Sequence, residues 1–204
     1  VDELQERGNK ATFFSVDVCS WDDCKRMVQD VLNEMSTIDA LVHSAGITSR
    51  LTFDEVDWEV WKRTMSVNLH GLFHVTKAVV PSMIAARSGK IVIIGSASAI
   101  SGTGGGVHYA ASKGGAFGFM RTLAKELGPY GINVNVVAPR VIQSDMLDRL
   151  YPNEAEQQAL IGRIPIGRLG RADDVAHMVR FLCSHASDYV HGQVLILDGG
   201  RTFS

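Results

Sequence analysis

The stretch "GKIVIIGS", residues 89–96, decides the fold class. Its unbroken aliphatic run predicts a strand that is buried on both faces, as strands in parallel sheets are. The segment "INVNVVAP" at 132–139 has the same character. Further strand candidates are "ATFFSVDV" at 11–18, "IDALVHSAG" at 38–46 and "GQVLILDGG" at 192–200.

Segments with a helical period separate these strands. They cover 21–35, about 57–87, 112–128 and 172–184, and "VDELQERGNK" at 1–10 predicts a helix end closed by Gly8. Pro81 is expected to bend or shorten the second of them, and Gly128 to stop the third. Strand and helix in alternation predict an α/β fold, a parallel sheet with helices on both faces, in a single domain over 1–204. Only 97–107 and 140–170 lack a clear pattern.

Composition excludes several functional classes. The 20 basic and 22 acidic residues are mixed along the chain, which leaves no basic patch for nucleic acid and no polybasic arm for a membrane. No apolar run approaches the roughly 18 residues of a membrane span. The three cysteines form no CxxC pair and no even-numbered framework, so a cytoplasmic location is expected.

Ligands bind open α/β sheets at the carboxyl ends of the strands. The candidate site is therefore the set of residues that end or follow each predicted strand, where small side chains let a ligand approach the backbone. These residues are Asp17, Val18, Ser44, Ala45, Gly46, Ser96, Pro139, Ile142 and Ser144.

Tyr109 and Lys113 are spaced i, i+4, so a helix presents them on one face. An ammonium near a phenol favours the phenolate and lowers its pKa, which suits proton transfer to or from a substrate oxygen. Ser96 could hydrogen-bond that oxygen, and Asn68 could orient the lysine through a water. Taken alone, the pair is more typical of a solvated helix face than of an active site.

Several motifs together resemble the short-chain dehydrogenase/reductase family. The resemblance runs over essentially the whole chain, and the nearest subgroups are 3-oxoacyl carrier-protein reductases and polyol dehydrogenases. It rests on the following motifs in order: "HSAG" at 43–46, "SVNLHGLFHVTKAVVP" at 66–81, "GKIVIIGSAS" at 89–98, "YAASK" at 109–113, "INVNVVAPRVIQSDM" at 132–146, "PIGRLGRADDVA" at 165–176 and "GQVLILDGG" at 192–200.

The resemblance implies a Rossmann-like fold and an NAD- or NADP-dependent oxidoreductase that interconverts a secondary alcohol and a ketone. It implies Tyr109 as general acid/base, Lys113 as the group that lowers its pKa and binds the nicotinamide ribose, Ser96 at the substrate carbonyl and Asn68 in a proton relay. The implied cofactor contacts are Asp17 and Val18 at the adenine, Ser44, Ala45 and Gly46 at the ribose and phosphates, and Pro139, Ile142 and Ser144 at the nicotinamide.

The chain departs from the family in several places. The Thr-Gly-x-x-x-Gly-x-Gly turn of the first strand is absent, and "GTGGGV" at 102–107 does not match it. The family places that turn, with the first strand, first helix and second strand, before Val1; we therefore expect the 204-residue chain by itself to bind cofactor poorly and to be inactive. Strand 38–46 would then expose an apolar edge and strand 11–18 would lack a neighbour.

The other departures are single residues. Arg140 stands where the family nearly always has glycine, His43 and Ser44 replace two asparagines, and Ser144 replaces a usual threonine. Residues 97–107 and 140–165 are expected to set the substrate.

Other interpretations remain open. A non-catalytic nucleotide-binding or interaction protein derived from the family would explain Arg140. His70 and His74 have zinc-like spacing but no third ligand, so no metal is expected. His108, a loop histidine beside Tyr109, is expected to be solvated, with contact to the substrate as the alternative. Met146, Leu147 and Leu150 form either an apolar lid over the substrate or helix core. By resemblance, a homodimer or homotetramer would pair helices 57–87 and 109–128 and the C-terminal strand.

Overall fold

A computed structural model of the chain describes residues 1–202 and contains one four-stranded parallel sheet. The strands are β1 (Ala40–His43), β2 (Gly89–Ile94), β3 (Ile132–Pro139) and β4 (Val194–Leu197), in the order β1-β2-β3-β4. Leu41 pairs with Ile91, and Ile91 in turn pairs with Val134. The predicted parallel arrangement is confirmed.

Helices cover both faces of the sheet. They are α1 (Asp2–Glu6), α2 (Trp21–Met35), α3 (Trp58–Met65), α4 (Gly71–Ala86), α5 (Ser98–Ser101), α6 (Gly106–Leu127), α7 (Asp145–Leu150), α8 (Glu154–Ile161) and α9 (Ala172–Leu182). Ile91 and Ile93 of β2 pack with α2, α4 and α6, whereas Val92 between them packs with Leu182 of α9. Alternate residues of one strand thus face two apolar layers, because successive side chains of a strand point to opposite faces. This confirms the doubly wound α/β architecture.

Local sequence explains several helix boundaries. The Ser20 hydroxyl accepts a hydrogen bond from the Asp23 amide at 3.2 Å and caps α2, which covers the predicted 21–35. The Asp57 carboxylate caps α3 in the same way. A π-helical turn at Ser66–His70 joins α3 to α4. Helix α4 continues past Pro81 to Ala86, so the proline does not shorten it.

The segment 11–18 is not a strand, and this prediction was wrong. A strand needs a neighbour for its backbone N–H and C=O groups, and within residues 1–202 none pairs with this segment. Phe13 is 76% exposed. Strand β1 lies at the edge of the sheet, where Val42 is 42% exposed, so the expected apolar edge is present.

Two segments without a clear sequence pattern contain helices. Segment 140–170 holds α7 and α8, and its Ile142 forms an isolated parallel bridge with Gly170. Helix α6 begins at Gly106, six residues before the predicted start at 112, since Gly105 turns the chain with a φ of 75°. Tyr109 and Lys113 therefore belong to one helix. Within residues 1–202, no helix is long and apolar enough to cross a membrane.

Candidate active site

The carboxyl ends of β1, β2 and β3 open into one cavity of about 1080 Å³. Parallel strands end at the same edge of a sheet, so residues far apart in sequence meet there. Of the residues predicted from the sequence, the cavity is lined by Ser44, Gly46, Ser96, Tyr109, Lys113, Pro139, Ile142 and Ser144.

Lys113 lies behind Tyr109 on the same face of α6. Its Nζ atom is 5.8 Å from the centroid of the Tyr109 ring and donates a hydrogen bond to the Ile94 carbonyl at 2.8 Å. The lysine is only 5% exposed, and this burial lowers the pKa of its ammonium to about 8. The solvated-surface interpretation of the pair is thus wrong.

Tyr109 is half-buried, with Ser96 beside it. Burial raises the pKa of Tyr109 above its ordinary value, and hydrogen bonding with Ser96 lowers it by less. The pKa of Tyr109 is therefore raised, not lowered as was expected from the nearby Lys113, because desolvation of the phenolate outweighs the hydrogen bond with Ser96. The Ser96 hydroxyl is itself held in place, since it donates to the Ser98 hydroxyl at 3.1 Å and accepts from the Ser98 amide at 3.2 Å.

Asn68 occupies the π-helical turn between α3 and α4 and is 2% exposed. Its Oδ1 atom accepts from the Ile47 amide at 2.8 Å, and its Nδ2 atom donates to the Ile47 carbonyl at 2.9 Å and to the Ser112 hydroxyl at 3.0 Å. Asn68 therefore does not line the cavity but braces the backbone that follows β1. π-helical turns are frequent at functional sites.

Gly46 packs closely against two of these groups. A Cβ atom placed on it would lie 3.3 Å from the Lys113 Nζ and 3.4 Å from the Asn68 Oδ1. The absence of a side chain therefore lets the backbone after β1 lie against the buried ammonium.

Known proteins are similar to this chain in sequence. A family model described as enoyl-(acyl carrier protein) reductase matches residues 1–202. The 3-oxoacyl-(acyl-carrier-protein) reductase FabG of Thermotoga maritima is 42% identical over 98% of this chain and 80% of that protein, and FabG of Chlamydia trachomatis is 39% identical over 96% and 78%. The chain belongs to the short-chain dehydrogenase/reductase family.

A solved structure from the same family has a closely similar backbone. The gluconate 5-dehydrogenase of Burkholderia cenocepacia, solved with NADP and tartrate, superimposes with a TM-score of 0.94 at 32% identity over 100% of this chain and 80% of that one. The family identified from the motifs is therefore confirmed, as is the enzyme class, an NAD(P)-dependent oxidoreductase.

Three predicted cofactor contacts of this family member lie outside the cavity lining. Asp17 accepts a hydrogen bond from the Cys19 amide at 2.9 Å, and this bond lowers the pKa of its carboxyl. Val18 packs against Gly71, and its carbonyl is 3.0 Å from His74 Nδ1. Ala45 is half-buried between two lining residues.

His108 and His74 each contact a neighbouring segment of the chain. His108 is fully buried in the first turn of α6, with Nε2 3.0 Å from the Ser49 hydroxyl, so its assignment as a solvated loop residue was wrong. His74 contacts the Val18 carbonyl, and residues 1–202 contain no group of three potential metal ligands.

Sequence reasoning missed part of the cavity wall. Met146, Leu147 and Leu150 do line it, and Leu147 is also buried in the core, so both readings of these residues hold in part. Thr103, Gly105 and Arg163 lie in 97–107 and 140–165, the segments expected to set the substrate, although none of the three was singled out. Arg50 and Arg201 were missed. Arg140 was noted as a departure from the family.

Proposed function

We propose that this protein interconverts a secondary alcohol and a ketone, with Tyr109 as the general acid/base. The observation that carries the proposal is the convergence of Ser96, Tyr109 and Lys113 in one cavity at the carboxyl edge of the sheet. NAD(P), when bound, supplies the hydride to the carbonyl carbon or accepts it from the alcohol carbon. In reduction, Tyr109 gives its phenolic proton to the carbonyl oxygen; in oxidation it takes the proton back from the hydroxyl.

Ser96 and Lys113 support this proton transfer in different ways. The Ser96 hydroxyl lies beside Tyr109 and orients the substrate oxygen by a hydrogen bond. Lys113 keeps a positive charge under the phenol, which favours the phenolate left after proton donation. Asn68 is a positioning residue, because it fixes Ile47 next to Gly46 rather than touching the cavity.

The residues present fit a nicotinamide cofactor. Gly46 and Lys113 both line the cavity, and the Lys113 ammonium would hydrogen-bond the ribose hydroxyl groups. Pro139, Ile142 and Ser144 would hold the nicotinamide, and Ser44 and Ala45 would lie along the ribose and phosphates. Asp17 and Val18 remain the predicted adenine contacts.

Substitution of Tyr109 tests the proposal. In the chain preceded by the glycine-rich βαβ segment of the Thermotoga FabG, we expect Tyr109→Phe to lower the rate of NADPH or NADH oxidation with methyl 3-oxobutanoate by about 10²- to 10⁴-fold, the usual contribution of a general acid. The midpoint of urea unfolding should stay unchanged. A rate within threefold of the unchanged protein would refute the role of Tyr109.

The cofactor itself is tested by titration, followed by tryptophan fluorescence. It is made on the 204-residue chain and on the chain preceded by the glycine-rich βαβ segment of the Thermotoga FabG. We expect the extended form to bind the cofactor. The 204-residue chain should bind it poorly and show no turnover. Turnover by the 204-residue chain would refute that expectation, and binding to neither form would favour the non-catalytic family derivative.

We also propose a homodimer or homotetramer in the cytoplasm. Phe73 of α4 is 49% exposed and Trp58 of α3 is 68% exposed, which supports pairing through the helix over 57–87. All three cysteines are free thiols, which supports a reducing compartment. Sedimentation of Phe73→Ser should show a shift toward the monomer; an unshifted dimer or tetramer would exclude this face.

A further inference from the structure

The cavity wall carries a strong excess of positive charge. Four arginines line it in addition to Lys113, namely Arg50, Arg140, Arg163 and Arg201, and no Asp or Glu of the described residues does. Arg50 is compensated: its Nη1 atom lies 3.3 Å from Glu156 Oε1, and its guanidinium stacks on Tyr151 at 4.6 Å. Arg140, Arg163 and Arg201 form the arginine cluster.

Arg140 is fixed in the cavity wall. Its Nη2 atom donates to the Thr103 hydroxyl at 2.5 Å and its Nη1 atom to the Thr202 hydroxyl at 3.1 Å. The next residue, Val141, has a φ of 57°, a left-handed conformation that is strained for a β-branched side chain. Gly170 holds it there by donating to the Val141 carbonyl at 3.1 Å. Strain of this kind is typically found at functional sites.

The charges of Arg140 and Arg163 act on Arg201. Burial is the main cause that lowers the pKa of Arg201, and these two charges lower it further, while Tyr151 and Asp198 act against them. Asp198 is occupied by the Gly200 amide at 2.9 Å and the Thr202 amide at 2.6 Å and does not line the cavity. No Asp or Glu among the residues that the structure describes lines the cavity, so Arg140 and Arg163 leave this end of it positive.

We propose that the arginine cluster binds a carboxylate of the substrate, so that the preferred substrates are oxo acids and hydroxy acids rather than neutral ketones. The inference rests on the proposed function and names its substrate class. Guanidinium groups suit carboxylates because their N–H donors match both oxygens.

Position favours the substrate over the cofactor phosphate as the source of the anion. Arg140 is bonded to Thr103, two residues before Gly105, and a Cβ on Gly105 would lie 2.6 Å from the Tyr109 ring. The cluster is therefore connected to the reacting end of the cavity. The predicted adenine contacts, Asp17 and Val18, lie outside the cavity.

Binding of malonate, measured by calorimetry at low salt on the 204-residue chain, tests the site without turnover. We expect Arg163→Gln to weaken binding on the order of tenfold, the cost of one charge-assisted hydrogen bond. Arg163 is exposed, so its loss leaves the fold intact. Arg149→Gln, an exposed change of the same charge on α7 outside the cavity, is the matched control and should bind malonate normally. No binding at millimolar malonate, or equal loss in both variants, would overturn the proposal.

Steady-state kinetics on the extended chain identify the source of the anion. We expect kcat/KM for 3-oxobutanoate to exceed that for its methyl ester, and this preference to fall on the order of tenfold in Arg140→Gln and in Arg163→Gln. If instead only the preference for NADPH over NADH falls, the cluster binds the cofactor phosphate and the proposal is wrong. Malonate binding without any turnover would refute the proposed function alone, whereas turnover with no acid preference would refute this inference alone.

Discussion

Replacing Asn68 with alanine should destabilise the protein strongly. The side chain makes three hydrogen bonds of 2.8, 2.9 and 3.0 Å, two to the Ile47 backbone and one to the Ser112 hydroxyl. Each such bond contributes about 1 kcal/mol net, and more where a buried partner is left unpaired. Asn68 is 2% exposed, so water does not replace the lost bonds. The expected loss of unfolding free energy is about 3 kcal/mol.

Urea unfolding, followed by far-ultraviolet circular dichroism, measures this loss. Asn33→Ala is the control, because Asn33 is exposed on α2 and its amide contacts only Gln29, at 3.1 Å. We expect the control to change the free energy of unfolding by no more than about 0.5 kcal/mol. Asn68→Asp should fall between the two: it keeps the acceptor for the Ile47 amide and loses both donors.

The outcome separates a structural brace from a side chain that acts only in a proton relay. If Asn68→Ala destabilised the protein by less than about 1 kcal/mol, the three hydrogen bonds would not have the value assigned to them. The inference that Asn68 fixes the backbone beside Gly46 would then fail.

Three further predictions concern stability. Gly105→Ala should destabilise the protein by about 1–2 kcal/mol, because φ is 75° and the new methyl would meet the Tyr109 ring at 2.6 Å. Gly114→Ala, with open space around it, should instead stabilise α6 by about 0.5–1 kcal/mol. Thermal unfolding of the two variants tests this, and equal shifts in the unfolding temperature would contradict the reasoning. Burial, with a smaller effect of the Lys113 charge, lowers the pKa of His43 from 6.5 to about 4. Between these pH values the unfolded state binds a proton that the folded state does not, so the free energy of unfolding should rise from pH 4 to 6.5. Urea unfolding of His43→Asn should show a shallower rise with pH, and an unchanged rise would contradict this. Burial likewise lowers the pKa of Lys113 from 10.5 to about 8. As the pH rises from 8 to 10.5 the folded state loses this proton before the unfolded state does, so the free energy of unfolding should increase. Urea unfolding of Lys113→Met should show no such increase, and an increase that persists would belong to other groups.

Much of the architecture follows from local sequence patterns. The aliphatic runs of β2 and β3 and the helical period of α2 predicted those elements closely. Their ends were predictable because capping residues and glycines act on the adjacent turns of the backbone. The spacing of Tyr109 and Lys113 also fixed their common face, since an α-helix brings residues four apart together.

Long-range contacts decided what the sequence alone did not. The segment 11–18 has strand-forming residues but no strand partner within residues 1–202, and a strand exists only where a neighbour completes its hydrogen bonds. The raised pKa of Tyr109 and the lowered pKa of Lys113 arise from burial, which depends on packing of the whole chain around α6.

The sequence by itself therefore determined the α/β class, the edge of the sheet that carries the site and the residues that could transfer a proton. Only the tertiary structure assigned Asn68 to the Ile47 backbone and gathered Arg140, Arg163 and Arg201 at one cavity wall. Periodicity and capping act over a few residues and can be read from the chain, whereas desolvation and the meeting of distant charges exist only once the chain has packed.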